Sequence, residues 1–185
     1  AMAALFGTTS MEAIVITFEK RVGALERLQL APITDVSIIV GKVLGGTIFG
    51  LMISTVMTVL SILFLGSEIV DLPVFILSLF LTAIDHSALG ALVAVSVKEV
   101  FEAQTLSNYF RFPMIFLCGI FLPLDEMPTA LRYLAGVLPL TYSVETLRGS
   151  MTGQGGSVPV NLLILAGYSV FLTALSVFFF RKNQE

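Results

Sequence analysis

Two long stretches without any charged residue constrain this chain more than any other feature. Residues 43–67 carry no charge, and neither do residues 149–180, whose apolar part begins at about Val160. A helix needs roughly 20 apolar residues to cross a bilayer core about 30 Å thick. Only 12% of the 185 residues are charged, against about 25% in soluble domains. The chain is therefore predicted to be an integral membrane protein, and a water-soluble globular fold is excluded.

Three weaker apolar segments bring the predicted number of spans to five. The segment 72–97 is interrupted by Asp85 and His86, the segment 104–124 carries Arg111, and the opening segment 1–18 contains only Glu12. We predict an all-α membrane protein with one transmembrane domain over residues 1–185. The predicted spans are residues 1–18, 36–65, 72–97, 104–124 and 158–180.

The basic residues predict the orientation of these spans. Eight of the ten Lys and Arg residues fall on one side of the predicted membrane, and only Arg132 and Arg148 fall on the other. Basic residues in short loops mark the cytoplasmic side, so residues 181–185 form a predicted cytoplasmic tail in a cell-membrane protein. The net charge is −3 and there is no basic block, which argues against nucleic acid as a partner.

The cytoplasmic segment 19–32 follows a helical pattern. Phe18, Val22, Leu25 and Leu28 recur at steps of three and four residues, and Pro32 ends the pattern. One interpretation is an interfacial helix that lies on the lipid headgroups. The other is a helix that docks on a cytoplasmic partner.

The outer segment 125–157 is too long for a simple turn. Leu131, Leu134 and Leu138 have helical spacing that Pro139 breaks. We predict two short helices, the second from about Thr141 to Arg148. They either seal the outer end of the bundle or gate it.

Ionisable residues in a span are costly and must face protein or water. One hypothesis is that Asp85 and His86 line a translocation path and make part of it polar. The alternative is an interhelical hydrogen bond or a neutral carboxyl group. Arg111 is expected either to extend to the headgroups or to pair with Glu99 or Glu102.

Three stretches resemble the permease subunits of type-2 ABC transporters, the class that exports drugs, polysaccharides and lipids. GALERLQLAP followed by GK resembles the family signature after its second span, with Ala24 where Thr is usual. LSNYFRFPMIFLCGIFLPLDEMP resembles the fifth span and its exit, and LRYLAGVLPLTYSVETLRG resembles the outer helical segment. The resemblance implies spans two to six of a six-span permease. The first span is then missing through gene truncation, or because the chain is a fragment.

The resemblance also implies a function and partners. Residues 19–32 would be a coupling helix that docks on a separate ATPase subunit, and residues 125–157 an outer, re-entrant-like helical segment. The chain would be a transport permease and not an enzyme, working as a pair of permeases, most simply a homodimer. ATP and Mg would bind the ATPase, because this sequence has no phosphate-binding glycine loop. The implied docking residues are Val22, Leu25, Glu26, Arg27 and Leu28.

Two other classes of function remain open from the residues. A channel or secondary transporter that needs no ATPase would explain the apolar spans and Asp85, although such proteins typically carry more intramembrane charges. An intramembrane enzyme is weakly supported, because Asp85 and His86 have no convincing nucleophile partner and the sequence lacks a GxSx arrangement or a His-rich span. No catalytic residue, metal site or cofactor is predicted for this chain.

Overall fold

The computed structural model of the chain describes residues 1–153 and 157–182, apart from the side chains of residues 26, 29 and 125. Parts of the predicted outer segment and tail, residues 154–156 and 183–185, therefore lie outside the described residues. Every regular element within the description is helical. The elements are α1 Met2–Arg21, α2 Ala24–Gln29, α3 Asp35–Leu65, α4 Leu72–Ser96, α5 Val100–Leu117, a 3₁₀ helix Leu124–Glu126, α6 Thr129–Gly136, α7 Pro139–Thr152 and α8 Val158–Lys182.

Three helices in the described part of the chain are long and apolar enough to cross a membrane. They are α3, α4 and α8, which correspond to the predicted spans 36–65, 72–97 and 158–180. The helix α1 covers the predicted span 1–18, and α5 covers only part of the predicted span 104–124. That five helices of this chain cross the membrane therefore stays a prediction.

The helix α5 begins and ends earlier than the sequence predicts. At its start the carboxylate of Glu102 accepts a hydrogen bond from the backbone N–H of Glu99 at 3.4 Å, which caps the first turn. At its end Gly119 has a φ of +79°, a left-handed conformation that glycine adopts readily and that commonly follows a helix. The helix thus ends at Leu117, well before Pro123.

The predicted cytoplasmic helix over residues 19–32 is divided in two. The helix α1 continues to Arg21, and Gly23 then takes a φ of +70° before α2 begins at Ala24. The repeat of Phe18, Val22, Leu25 and Leu28 predicts one continuous helix through Gly23. Its left-handed conformation instead separates a six-residue α2 from the end of α1.

The helix α4 lies at the centre of the bundle and packs against α1, α3, α7 and α8. Its buried residues are mostly small or polar, including Ala83, Ala88, Ala91 and Ala94. Small residues let helix backbones approach closely inside a membrane. At Gly90 the backbones of α4 and α1 approach closely, because an added Cβ would lie 2.8 Å from the carbonyl oxygen of Thr9 in α1.

One end of the bundle is held together by charged side chains. Lys20 Nζ donates to the carbonyl oxygen of Ala94 at 2.8 Å, Arg21 Nη1 lies 3.7 Å from Glu99 Oε2, and Arg181 Nε lies 3.5 Å from Asp35 Oδ2. These contacts join the ends of α1, α4 and α8 to the beginnings of α3 and α5. The five long helices therefore alternate in direction and share this end, which we call the charged end.

The opposite end is covered by α6 and α7, which form a helical hairpin. The carbonyl oxygen of Ser150 in α7 accepts hydrogen bonds from the N–H groups of Val70 and Asp71, at 3.1 and 2.9 Å. The hydroxyl of Tyr168 donates to the carbonyl oxygen of Val137, between the two short helices, at 2.7 Å. Tyr168 lies ten residues after the start of α8, or about 15 Å along it. The turn between α6 and α7 thus contacts α8 near the middle of that helix.

Candidate functional site

The predicted docking residues lie at the charged end, on α2 and the turn before it. Leu25 is buried in the core of the bundle at 3% exposure. Val22 and Leu28 are exposed at 51% and 38%, and Arg27 is exposed as well. The side chain of Glu26 lies outside the described residues. We call the exposed set Val22, Arg27, Leu28 and Leu30 the α2 surface; Leu30 is 88% exposed.

Two features hold α2 in place. Leu25 anchors it in the bundle core, and Lys20, just before the turn, donates to the carbonyl oxygens of Ala94 and Val97 at 2.8 and 3.3 Å. Those carbonyls belong to the last turn of α4 and the residue after it, where a helix leaves acceptors without intrahelical partners. The end of α1 is thereby fixed to the end of the central helix, and α2 projects from it.

Asp85 is completely buried between α4 and α8. Its Oδ1 accepts a hydrogen bond from Ser169 Oγ at 2.5 Å. Within the described chain, Oδ2 has no hydrogen-bond partner. The geometry thus contains the interhelical hydrogen bond that the sequence left as an alternative to a path-lining role.

His86 is also completely buried. Its Nδ1 lies 2.7 Å from the carbonyl oxygen of Thr82 in the same helix, and its backbone carbonyl oxygen accepts a hydrogen bond from Thr9 Oγ1 of α1 at 3.2 Å. The side-chain hydrogen bonds of Asp85 and His86 in the described chain therefore share no partner, because that of Asp85 is to Ser169 and that of His86 is to Thr82.

Two further buried ionisable residues were not singled out as sites by the sequence analysis. Glu12 of α1 is 4% exposed, in a space that Gly46 of α3 and Gly90 of α4 leave open. An added Cβ at Gly90 would lie 2.9 Å from Glu12 Cβ, and one at Gly46 would overlap the Glu12 side chain. The sequence signal that could have indicated this residue is that Glu12 is the single charge in the otherwise apolar segment 1–18.

Arg111 is the second buried ionisable residue. Among the described contacts, it neither extends to the headgroups nor pairs with Glu99 or Glu102. It is 1% exposed, so it does not extend to the headgroups, and its described contacts do not include Glu99 or Glu102. Its Nη1 donates to Asn108 Oδ1 at 3.2 Å, and its guanidinium lies 5.4 Å from the centroid of the Phe6 ring, a cation–π distance. Because α5 begins at Val100, Arg111 lies about three turns into the helix.

The described residues contain no group of three or more His, Cys, Asp or Glu side chains placed to hold a metal ion. Cys118 is buried and has a free thiol that donates to the carbonyl oxygen of Ile115.

Comparison with known proteins identifies the family to which this architecture belongs. The sequence model of the ABC-2 type transporter family matches residues 1–152. The chain belongs to the ABC-2 type transporter family. The resemblance found in three stretches of the sequence is thus confirmed over most of the chain.

The chain is also similar to curated bacterial proteins, two of which are named as transport permeases. The chain is 33% identical over 112 residues to nodulation protein J of Bradyrhizobium diazoefficiens, covering 56% of this chain and 43% of that protein. It is 28% identical to the inner membrane transport permease YadH of Escherichia coli, over 70% of this chain and 50% of YadH. It is 27% identical to the probable multidrug ABC transporter permease YbhS of Escherichia coli, over 91% of this chain and 44% of YbhS. The chain spans about half the length of these relatives.

Proposed function

We propose that this chain is the membrane-spanning part of a permease in an ATP-driven exporter, coupled to a separate ATPase subunit through residues 19–32. Membership in the ABC-2 family supports the transport role. The chain performs no covalent chemistry in this proposal, since ATP and Mg bind the ATPase. The permease works with a second permease copy, most simply as a homodimer.

The observation that carries the proposal is the α2 surface. Val22, Leu28 and Leu30 expose apolar side chains beside the exposed Arg27, while Leu25 anchors the helix from below. Apolar anchors surrounded by charges are typical of a protein interface, in which the charges set orientation and the apolar groups supply affinity. The ATPase is the proposed occupant of this surface.

The charged end is the proposed cytoplasmic end. It contains Lys20, Arg21, Lys42 and Arg181, and the positive-inside rule places such clusters in the cytoplasm. The end of α8 then lies on the cytoplasmic side, and the α6–α7 hairpin faces the opposite side of the cell membrane. This orientation presents the α2 surface to a cytoplasmic ATPase.

The proposed mechanism is a movement of rigid helices. Closure of two ATPase subunits around ATP moves the α2 of each permease, and the movement passes through Gly23 to α1 and to the bundle. The path opens between the two permease subunits, and the bilayer surrounds both. Export as the direction of transport comes from the resemblance to the exporter class.

The test is co-purification of the ATPase with the permease in mild detergent. We expect Arg27→Glu to remove most of the bound ATPase, because it reverses the charge that Arg27 presents on the α2 surface. Lys98→Glu is the matched control, since Lys98 is also an exposed cation at the charged end and undergoes the same charge change. Equal loss with both variants, or no loss with either, contradicts docking through α2.

One observation favours the alternative of a channel or secondary transporter without an ATPase. Glu12, Asp85, His86 and Arg111 are all buried in the bundle, and intramembrane ionisable residues mark ion or proton pathways in many transporters. Reconstitution into liposomes separates the two functions. Transport driven by a proton gradient without ATPase supports the alternative, and transport only with ATPase and ATP supports the exporter.

A further inference from the structure

A buried cation without an acidic partner lies where α5 packs against α1. Arg111 is 1% exposed, and no ion pair of the described residues includes it. An arginine cannot shed its charge as a buried carboxylic acid or lysine can, because its guanidinium stays protonated in proteins. Charges that are removed from water are normally paired, since an unpaired buried charge is strongly destabilising. The position of Arg111 therefore calls for a negative charge beside it.

The buried acids of the bundle are engaged elsewhere. Asp85 accepts its hydrogen bond from Ser169 of α8. The side chain of Glu12 lies in the space that Gly46 and Gly90 leave open, against α3 and α4. Neither acid is among the described contacts of Arg111, so the balancing charge has to come from outside the described chain.

The free donors of Arg111 lie along one edge of its guanidinium. The Nη1 atom donates to Asn108 Oδ1 at 3.2 Å, whereas Nε and Nη2 have no hydrogen-bond partner among the described residues. These two nitrogens form the side edge of the guanidinium, where the N–H groups run parallel and can grip one acceptor together. The Phe6 ring, 5.4 Å away at its centroid, attracts the positive charge but leaves both nitrogens without an acceptor.

A third free donor stands on the same side of α5. Ser107 precedes Arg111 by four residues, which places the two side chains on one face of the helix. The Ser107 side chain is completely buried, and its hydroxyl has no hydrogen-bond partner in the part of the chain that the structure describes. The inward face of α5 thus presents one charge and three unpartnered donor atoms, Oγ of Ser107 and Nε and Nη2 of Arg111.

We propose that Arg111 and Ser107 bind a small monovalent inorganic anion of the size of chloride inside the bundle. The anion accepts from the side edge of the guanidinium and from the Ser107 hydroxyl. It is small because both side chains are enclosed, at 1% and 0% exposure, which keeps out a lipid head group or a helix of another chain. It is monovalent because one guanidinium balances one negative charge. Binding needs no ATPase, so the inference is independent of the proposed function.

The experiment measures thermal unfolding of the purified chain in detergent by circular dichroism, with chloride replaced by gluconate at constant ionic strength. A ligand that binds only the folded protein raises the melting temperature as its concentration rises, and this dependence gives an apparent affinity. We expect chloride, and equally bromide, to raise the melting temperature of the wild type. The affinity for chloride should fall about tenfold or more in Arg111→Gln, the loss of a hydrogen bond to a charged group, and about threefold in Ser107→Ala, which removes a neutral donor.

Arg21→Gln is the matched control, because Arg21 is an arginine whose side chain is 64% exposed at the charged end. It should keep the wild-type response to chloride. An equal loss in this control assigns the effect to surface charge and overturns the proposal. Sulfate that stabilises more than chloride overturns the monovalent site.

A wild type that melts at the same temperature in chloride and in gluconate also overturns the proposal. The guanidinium is then satisfied by water or by Nε2 of His86, a buried atom of α4 without a described hydrogen-bond partner. His86 is within electrostatic reach of Arg111, so this result has a structural explanation. If Arg111→Gln does not fold, Ser107→Ala decides the question, because it removes one hydroxyl and leaves the charge in place.

Discussion

The helices α3 and α4 are both apolar enough to cross a membrane, yet they occupy opposite environments. In their most apolar stretches 61% of the residues of α4 are buried, against 11% of those of α3. The buried residues of α3 form one stripe that includes Val43, Gly46 and Gly50. The buried residues of α4 surround most of the helix and include Ser78, Asp85 and His86.

Hydropathy therefore identifies a membrane span, but it does not show whether that span lies inside the bundle or at its surface. Lipid is as apolar as leucine, so a leucine-rich face gains nothing by turning inward. Small and polar residues are what distinguish an interior helix. The outer half of α3 accordingly exposes Leu63, Phe64 and Leu65 at 72–80%, whereas α4 places alanine, serine and glycine at its contacts.

We expect the largest change in the free energy of unfolding from truncating a buried leucine of α4, and truncating an exposed leucine of α3 tests the contrast between the two helices. Leu89 of α4 is 6% exposed and Leu63 of α3 is 72% exposed. We expect Leu89→Ala to lower the free energy of unfolding by about 2–5 kcal/mol, because it leaves a cavity in a packed core. Leu63→Ala should change it by less than about 0.5 kcal/mol. Reversible unfolding in mixed micelles measures both, and equal losses would show that α3 is packed as tightly as α4.

An intermediate effect is expected from two glycines. We expect Gly90→Ala to cost about 1–3 kcal/mol, because its Cβ would meet the backbone of α1 and force the helices apart. Gly41→Ala is the control, since nothing lies within 4 Å of a Cβ at that position in α3. The control should be neutral or should stabilise the helix by up to about 1 kcal/mol. A Gly90→Ala variant as stable as the control would refute the close approach of α1 and α4.

The smallest expected effect concerns the buried hydrogen bond of Asp85. A double-mutant cycle with Asp85→Asn and Ser169→Ala should give a coupling energy of about 0.6 kcal/mol, the average for interhelical hydrogen bonds in a membrane bundle. In a transport assay the Asp85→Asn variant should keep the wild-type rate and substrate range if the residue only joins α4 to α8. A changed substrate range would assign Asp85 to the translocation path instead.

The sequence predicted the long helices and two helices in the outer segment. The length of an uncharged stretch and the position of a proline are local signals that can be read directly from the sequence. It missed both ends of α5 and the separation of α1 from α2. The C-terminal end of α5 and the separation depend on glycines, Gly119 and Gly23, that adopt a left-handed conformation. A glycine in the sequence permits that conformation but does not require it.

The buried polar residues were harder to place from the sequence. Glu12 and Arg111 stand alone in apolar stretches, and a helix that is apolar on every side gives no periodicity from which to read the inward face. The structure turns both inward, Glu12 against two glycines and Arg111 against Phe6. For the docking residues, periodicity placed Leu25, Val22 and Leu28 on one stripe, but the turn at Gly23 leaves only Leu25 buried.

The two hydrogen bonds from Lys20 to Ala94 and Val97 have a mechanical consequence. Lys20 lies in the last turn of α1, before the turn at Gly23, so these bonds fix the end of α1, and not α2, to the central helix. The helix α2 itself is held by Leu25, which packs in the bundle core. A rotation of α2 about Gly23 therefore leaves the bonds between α1 and α4 intact, but it has to move Leu25 out of its packing.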